Sequence, residues 1–305
     1  MTYFVLGLKI SLKGHYILKI LIIRAGALGD TLMLMPSIRS LGKSAEITIA
    51  GRRPGIDYLR PHVDRCIDME ISGWHRLFME GTDKSSPLSP SPDHVAAFLN
   101  DPDGRIKDRL KGIFPRSSVN IFPVFPHEEY RGHIALYMAK ALQDTGLPID
   151  SERAFEVSLE LPLLRPDPCV PVENRLIVIH PGSGSQRKNY PPSFWFRLIS
   201  EIKSIHRDDP GRMLLLIGPA EEDILPVFRD SLTERDVEFK VLPEKEELMS
   251  ILVKGAVYIG HDSGITHLAA MTGIHVIALF KHTSVEQWRP LGPHVRLIKD
   301  EDYIS

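Results

Sequence analysis

Cysteine is scarce: Cys66 and Cys169 are the two in 305 residues. That excludes a disulfide framework, and their spacing matches no metal-ligand pattern. They read as ordinary thiols in a reducing compartment. Long apolar runs are also missing. Stretches such as Ile20–Ile23 and Met213–Ile217 fall far short of the ~20 residues that span a bilayer. Neither sign of charge is in excess, since 37 Lys and Arg face 39 Asp and Glu for a net −2. This balance argues against a dedicated nucleic-acid binder. No H-x-x-x-H, paired-cysteine or G-x-S-x-G pattern occurs, so neither a tight metal site nor a serine elbow is expected. The first eighteen residues, MTYFVLGLKISLKGHYIL, lack an apolar core followed by a small-residue cleavage site. They read as a leading strand or an ill-ordered extension rather than a signal peptide. The chain is expected to be cytoplasmic.

What is present is globular in composition, with 43% hydrophobic and 25% charged residues. The length suggests about two domains. KILIIR (19–24) is a continuous apolar run, as in a parallel strand buried on both faces. It feeds the turn AGALGD, a helix from Thr31 to Gly42 and a strand at Glu46–Ala50. Strand, glycine-bearing turn, helix and strand open a doubly wound α/β domain. Ser72–Asp93 is irregular, and its TDKSSPLSPSPD reads as a loop. His94–Lys111 has helical character interrupted by DPDG. Ser118–Pro123 reads as a strand, and His133–Gln143 as an amphipathic helix.

Four prolines in Leu161–Arg175 mark a linker. The expected domains are 1–165 and 166–305. The α/β grammar then restarts, with strands expected at Leu176–His180, Met213–Gly218, Phe239–Leu242, Val257–Gly260 and Val276–Phe280. Helices are expected at Pro192–His206 and Lys245–Lys254. Two such halves leave a cleft between them, with each polar turn at the carboxyl end of a strand, where open α/β sheets bind ligands.

Three turns could carry chemistry. In RAGALGD, Asp30 follows Gly26 and Gly29. It could act as a general base or simply cap the helix after it. In HPGSGSQRKNYP, backbone amides could cradle an anion and Lys188 could add a point charge. Arg187 and Lys188 could equally be solvated surface cations. In GHDSGITHLAAMTG, Asp262, Ser263 and Gly264 stand at a helix N-terminus that favours phosphate, with His267 one turn on. Asp262 would repel a phosphate and could cap the helix or bind a hydroxyl instead. One of Glu221, Glu222 and Asp223 could bond a ribose, or all three could serve a helix start.

Together ILIIRAGALGDTLMLMPSIRSL, IHPGSGSQRKNYPPSFWFRLI, LLIGPAEED and YIGHDSGITHLAAMTGIHVIALF closely resemble glycosyltransferase family 9, the ADP-heptose:lipopolysaccharide heptosyltransferases. The resemblance implies an α/β GT-B fold, two Rossmann-like domains facing across a cleft, and inverting transfer without a tightly bound metal. It implies Asp30 as general base for the acceptor hydroxyl, and Lys188 and Ser183 on the donor phosphate side. Asp262, Ser263, Gly264 and His267 match the segment holding sugar and diphosphate, and Glu221 the acidic residue near the nucleoside. It implies no cofactor beyond a nucleotide-sugar donor, ADP-linked, and a saccharide or glycolipid acceptor such as the lipopolysaccharide core.

The chain departs from the family pattern at LFKHTSVEQW, where Lys281 and Ser284 stand in place of a glycine and a T-D-P segment. It also stops at Ser305, soon after the strand-like Val295–Ile298, where the family runs on. Arg52, Arg53, Arg60, Lys107, Arg109 and Lys111 could meet an anionic inner membrane face, or be a solvated surface interspersed with acids. Two other readings remain open: a GT-B-like sugar-nucleotide epimerase, and a non-catalytic nucleotide-sugar-binding protein.

Overall fold

A computed structural model describes residues 17–71, 73–74, 91–164, 173, 175–205, 211–233 and 235–300. The leading segment before Ile17, the loop TDKSSPLSPSPD up to Pro90, most of the proline-rich linker with Cys169, and His206 lie outside the described residues.

Two parallel sheets form the frame. The first contains β1 (Leu18–Arg24), β2 (Ala45–Gly51), β3 (Arg65–Asp68), β4 (His94–Phe98) and β5 (Ser118–Phe122), in the order β3-β2-β1-β4-β5. Its helices are α1 (Leu28–Leu32), α2 (Met35–Leu41), α3 (Gly55–Leu59), α4 (Arg105–Ile113), α5 (Ile134–Asp144) and α6 (Ser151–Glu160). The second sheet contains β6 (Leu176–His180), β7 (Arg212–Ile217), β8 (Glu238–Val241), β9 (Val257–His261), β10 (His275–Phe280) and β11 (Val295–Lys299), in the order β11-β10-β9-β6-β7-β8. Its helices are α7 (Pro192–Ile205), α8 (Leu225–Ser231), α9 (Lys245–Lys254), α10 (Gly264–Thr272) and α11 (Val285–Trp288).

Strand period two explains the layering. Ile20 and Ile22 of β1 join one apolar cluster, while Leu21 and Ile23 join another on the opposite face with Leu110 and Phe114. The second sheet is likewise covered on both faces, with Trp195 and Phe228 buried behind β6 and β7. Where both faces are dry, as at Ile20–Ile23 of β1 and Met213–Ile217 of β7, the strand reads as an unbroken apolar run. The cluster holding Ile20 and Ile22 also takes in Leu268 and Met271 of α10 and Val178 of β6. One continuous core therefore joins the two sheets. Leu163 and Leu164, just after α6, both donate their N–H to Met271 O, at 2.8 and 2.9 Å.

Two expected elements differ. The helix expected from Thr31 to Gly42 begins earlier and is broken into α1 and α2. Pro36 has no N–H to continue the first helix and is favoured in the opening turn of the second. The stretch expected to be helical from His94 opens instead as β4, a central strand with Val95 to Phe98 all buried. A fully buried short strand and a helix segment share the same unbroken apolar pattern. Helix α4 starts only after the turn that DPDG makes, with the Asp101 carboxylate accepting from Ile106 N and Lys107 N at 2.9 Å each.

Candidate active site

In each sheet the order of connection reverses once, between β1 and β4 and between β6 and β9. Open α/β sheets bind ligands at such points, beyond the strand carboxyl ends. The turn after β1, the turn after β6 and the start of α10 all lie there. The two domains meet at two glycines. A Cβ on Gly264 would stand 2.9 Å from Leu28 Cβ and 3.0 Å from Gly29 N. A Cβ on Gly29 would stand 3.3 Å from His267 Cδ2. Helices α1 and α10 thus begin against one another, bringing Asp30 and His267 to the same cleft.

The α10 end is built from Ser263, whose Oγ caps the helix by accepting from Thr266 N at 3.3 Å. Thr266 Oγ1 donates in turn to the carbonyl of His261. Asp262 is 4% exposed. Its Oδ2 accepts from Lys188 Nζ at 2.6 Å, and its Oδ1 lies 3.6 Å from His267 Nε2. Burial opposes ionisation of Asp262, but His267 and Lys188 outweigh it and hold the carboxyl at about 2. The carboxylate does not cap the helix; it gathers a cation and an imidazole at the mouth of the helix.

Ser183 and Glu221 are placed deeper than a direct ligand contact needs. The Ser183 hydroxyl is shared between Ser185 O at 2.9 Å and Asn189 Oδ1 at 2.7 Å, so it shapes the turn after β6. Tyr190 N donates to His261 Nε2 at 2.8 Å and ties that turn to β9. Glu221 is 1% exposed. Its Oε2 accepts from Gly218 N at 2.8 Å and lies 3.3 Å from His180 Nε2. Burial raises its affinity for a proton, but His180 and the Gly218 N–H reverse the sign and keep it below the usual carboxylate range. Gly182 lies directly over Glu221, leaving no room for a Cβ.

Asp30 serves the start of α1 from inside the helix, as the capping-box partner of the N-cap Ala27. It occupies the third position of α1 and its Oδ2 accepts from Ala27 N at 3.2 Å. Its carboxylate is half-buried. Beside it lies Arg24, wholly buried at the end of β1. Arg24 donates from Nη1 to Val124 O at 3.0 Å and stacks on Phe125 at 5.3 Å. Burial lowers the Arg24 proton affinity, and Asp30 works in the opposite direction. The apolar run of β1 gave no sign that its last residue would be a buried cation.

Below the Gly29–Gly264 contact a cavity of about 780 Å³ is lined by Leu28, Ile265, Gly218, Pro219, Leu242 and Pro243, with His180 and Lys245. Its size and apolar wall suit an aromatic ligand group. Sequence reasoning missed this wall. Leu242 takes a left-handed φ of +46°, rare for a leucine, and no residue pattern announces such a turn. The departing segment lies in the same domain and includes α11. Lys281 Nζ lies over the Tyr190 ring at 5.7 Å, and Ser284 caps α11.

Three of the six cations considered for a membrane face are ion-paired. Arg52 meets Glu70 at 3.3 Å, and Arg53 and Arg60 both meet Asp57, at 2.9 and 3.5 Å. Among the described residues no helix is long and apolar enough to cross a membrane, and no group of three His, Cys, Asp or Glu could hold a metal ion.

A doubly wound pair of domains with facing switch points is the GT-B architecture of glycosyltransferases, and solved structures share it. The family 9 glycosyl transferase of Veillonella parvula aligns at TM-score 0.64 and 15% identity, over 94% of this chain and 87% of that one. E. coli heptosyltransferase WaaC with ADP aligns at 0.65 and 13%, over 92% and 93%. E. coli ADP-heptose lps heptosyltransferase II aligns at 0.61 and 17%, over 92% and 90%. No curated protein sequence matches the chain. The model of glycosyltransferase family 9 (heptosyltransferase) matches residues 114–303, and the chain belongs to that family. It is a glycosyltransferase.

Proposed function

We propose that this enzyme transfers a heptose or related sugar from an ADP-linked donor to a saccharide acceptor of the lipopolysaccharide-core type, by one inverting displacement. The carrying observation is the Lys188–Asp262–His267 cluster at the start of α10, set against the Asp30 turn by the Gly29–Gly264 contact. The names of two similar structures, one holding ADP and one an ADP-heptose heptosyltransferase, support the donor class.

In this reading Asp30 accepts the proton of the acceptor hydroxyl as its oxygen attacks the anomeric carbon. The bond from that carbon to the diphosphate oxygen breaks, and its electron pair leaves on ADP. The α10 amides of Gly264 and Ile265 and the Lys188 ammonium neutralise the developing charge. Lys188 turns from Asp262 toward the phosphates, while Asp262 keeps His267 in place. The cavity walled by Leu242 and Pro219 takes the base. Glu221 acts through the Gly218 turn under the ribose rather than at the surface. A single carboxylate base suffices for inversion. With charge neutralised by these groups, the reaction needs no tightly bound metal, and the nucleotide sugar is its substrate rather than a cofactor. Domains 1–165 and 166–305 then serve acceptor and donor respectively. The paired cations leave less free charge for an anionic membrane face, and peripheral contact rests on the acceptor being a glycolipid.

Calorimetric titration with ADP, UDP and GDP, followed by turnover of ADP-heptose with a deacylated core oligosaccharide, tests this. Selective ADP binding and chelator-resistant transfer are expected. Preference for another nucleotide, or loss of transfer on chelation, would overturn the corresponding part.

A further inference from the structure

A second cavity, of about 460 Å³, shares no lining residue with the first. Its N-terminal-domain wall is the segment after β5, with Phe125, His127 and Arg131. Its C-terminal-domain wall is α11, with Ser284, Gln287 and Trp288. We propose that this cavity is the acceptor subsite and takes a pyranose ring, an assignment that rests on the transfer reading above.

The walls fit that ligand. Phe125 and Trp288 meet edge to face, with centroids 5.9 Å apart, and Phe125 remains 47% exposed. Exposed aromatic faces offer the apolar C–H face of a sugar a flat partner, and the polar rim offers its hydroxyls donors and acceptors. The two walls are joined across the domains. Gln287 Nε2 donates to Tyr130 O at 2.7 Å, and His133 Nε2 pairs with Arg289 O at 2.8 Å. These bonds fix the two walls relative to one another.

Its position fixes which sugar it takes. Behind Phe125 stacks the Arg24 guanidinium, which is fully buried and whose Nε and Nη2 meet no acceptor among the described residues. Arg24 Nε and Asp30 Oδ2 stand 3.2 and 3.3 Å from the one point that a Cβ on Gly26 would fill. Trp288 lies on the other flank, 6.5 Å from the His267 ring. The cavity thus borders the base through Phe125 and Arg24, and the sugar end of the donor site through Trp288 and His267. An acceptor hydroxyl must lie between those two. The α11 wall belongs to LFKHTSVEQW, where this chain departs from the family pattern, so the subsite sets an acceptor preference of this chain's own.

The test uses the whole protein and a deacylated lipopolysaccharide core oligosaccharide as probe. Trp74 and Trp195 are buried, whereas Trp288 lines the cavity, so tryptophan emission with ADP present reads the subsite directly. The oligosaccharide is expected to shift the emission of wild type but not of Trp288→Phe. Trp288→Ala is expected to raise the acceptor KM about tenfold or more while ADP affinity stays within about twofold. Trp288→Phe is expected to recover most of the acceptor KM and so separates stacking from misfolding. An unchanged acceptor KM in Trp288→Ala, a raised donor KM alone, or unaltered emission at millimolar oligosaccharide would overturn the subsite. An emission shift without transfer would sustain the subsite and fail the transfer reading instead.

Discussion

Lys188 Nζ stands 2.6 Å from Oδ2 of Asp262, so the cation of one turn is held by the carboxylate that precedes α10. The pair brings the positive charge to the helix mouth without leaving Asp262 buried and alone, which is the costly alternative. Lys188→Ala removes the phosphate's cation and frees a carboxylate that repels it. ADP affinity is expected to fall about tenfold to a hundredfold, in line with lost charge-assisted bonds. Calorimetry checks this, and unaltered affinity would show that Lys188 serves only Asp262.

Gly264 is where the domains touch. A methyl there meets Leu28 Cβ at 2.9 Å and Gly29 N at 3.0 Å, and one of those contacts is backbone. Gly264→Ala is expected to cost about 1–3 kcal/mol through overpacking and to weaken ADP binding as α1 is pushed from α10. Thermal unfolding with and without ADP measures both.

The sequence showed the alternating architecture because buried parallel strands print as apolar runs, and LIVIH and VYIGH could hardly be anything else. It misread His94–Phe98, since an unbroken run of four apolar residues, Val95 to Phe98, carries no period. It passed over α6, whose amphipathic SERAFEVSLE stands directly before a proline-rich stretch. Of the candidate site, the positions of Lys188, Asp262 and His267 were legible because glycines and a helix start bracket them. The burial of Glu221 was not, because it depends on Gly182 approaching from the turn after β6. Nor was the pairing of Phe125 with Trp288, which are 163 residues apart and meet only through the domain interface.

His133 links the domains in its neutral form. Nδ1 accepts from Ala135 N at 3.1 Å and Nε2 donates to Arg289 O at 2.8 Å. Burial lowers it to about 4, and a second proton on Nδ1 would also face the Ala135 N–H. Unfolded histidine takes a proton near 6.5. The stabilisation is therefore complete above about pH 6.5 and is lost as the pH falls toward 4, by up to about 3 kcal/mol. Urea unfolding at stepped pH is expected to show this loss, and a smaller one in His133→Gln.

Gly182→Ala would place a methyl inside the space of the Glu221 side chain. Glu221 must then leave His180 and the Gly218 N–H. A loss of about 1–3 kcal/mol is expected, with weaker ADP binding and an unaltered α10 cluster. Partial recovery in Gly182→Ala/Glu221→Ala, read by melting temperature, would locate the clash in that pair.

The measurement closest to the central claim compares Asp30→Asn with wild type, reading ADP affinity and heptose transfer from ADP-heptose on the same preparations. The substitution keeps the size of the side chain and removes its capacity to take a proton. Transfer is expected to fall about 10²- to 10⁴-fold, the usual contribution of a general base, while ADP affinity stays within about twofold. Transfer at the wild-type rate by Asp30→Asn would contradict the account.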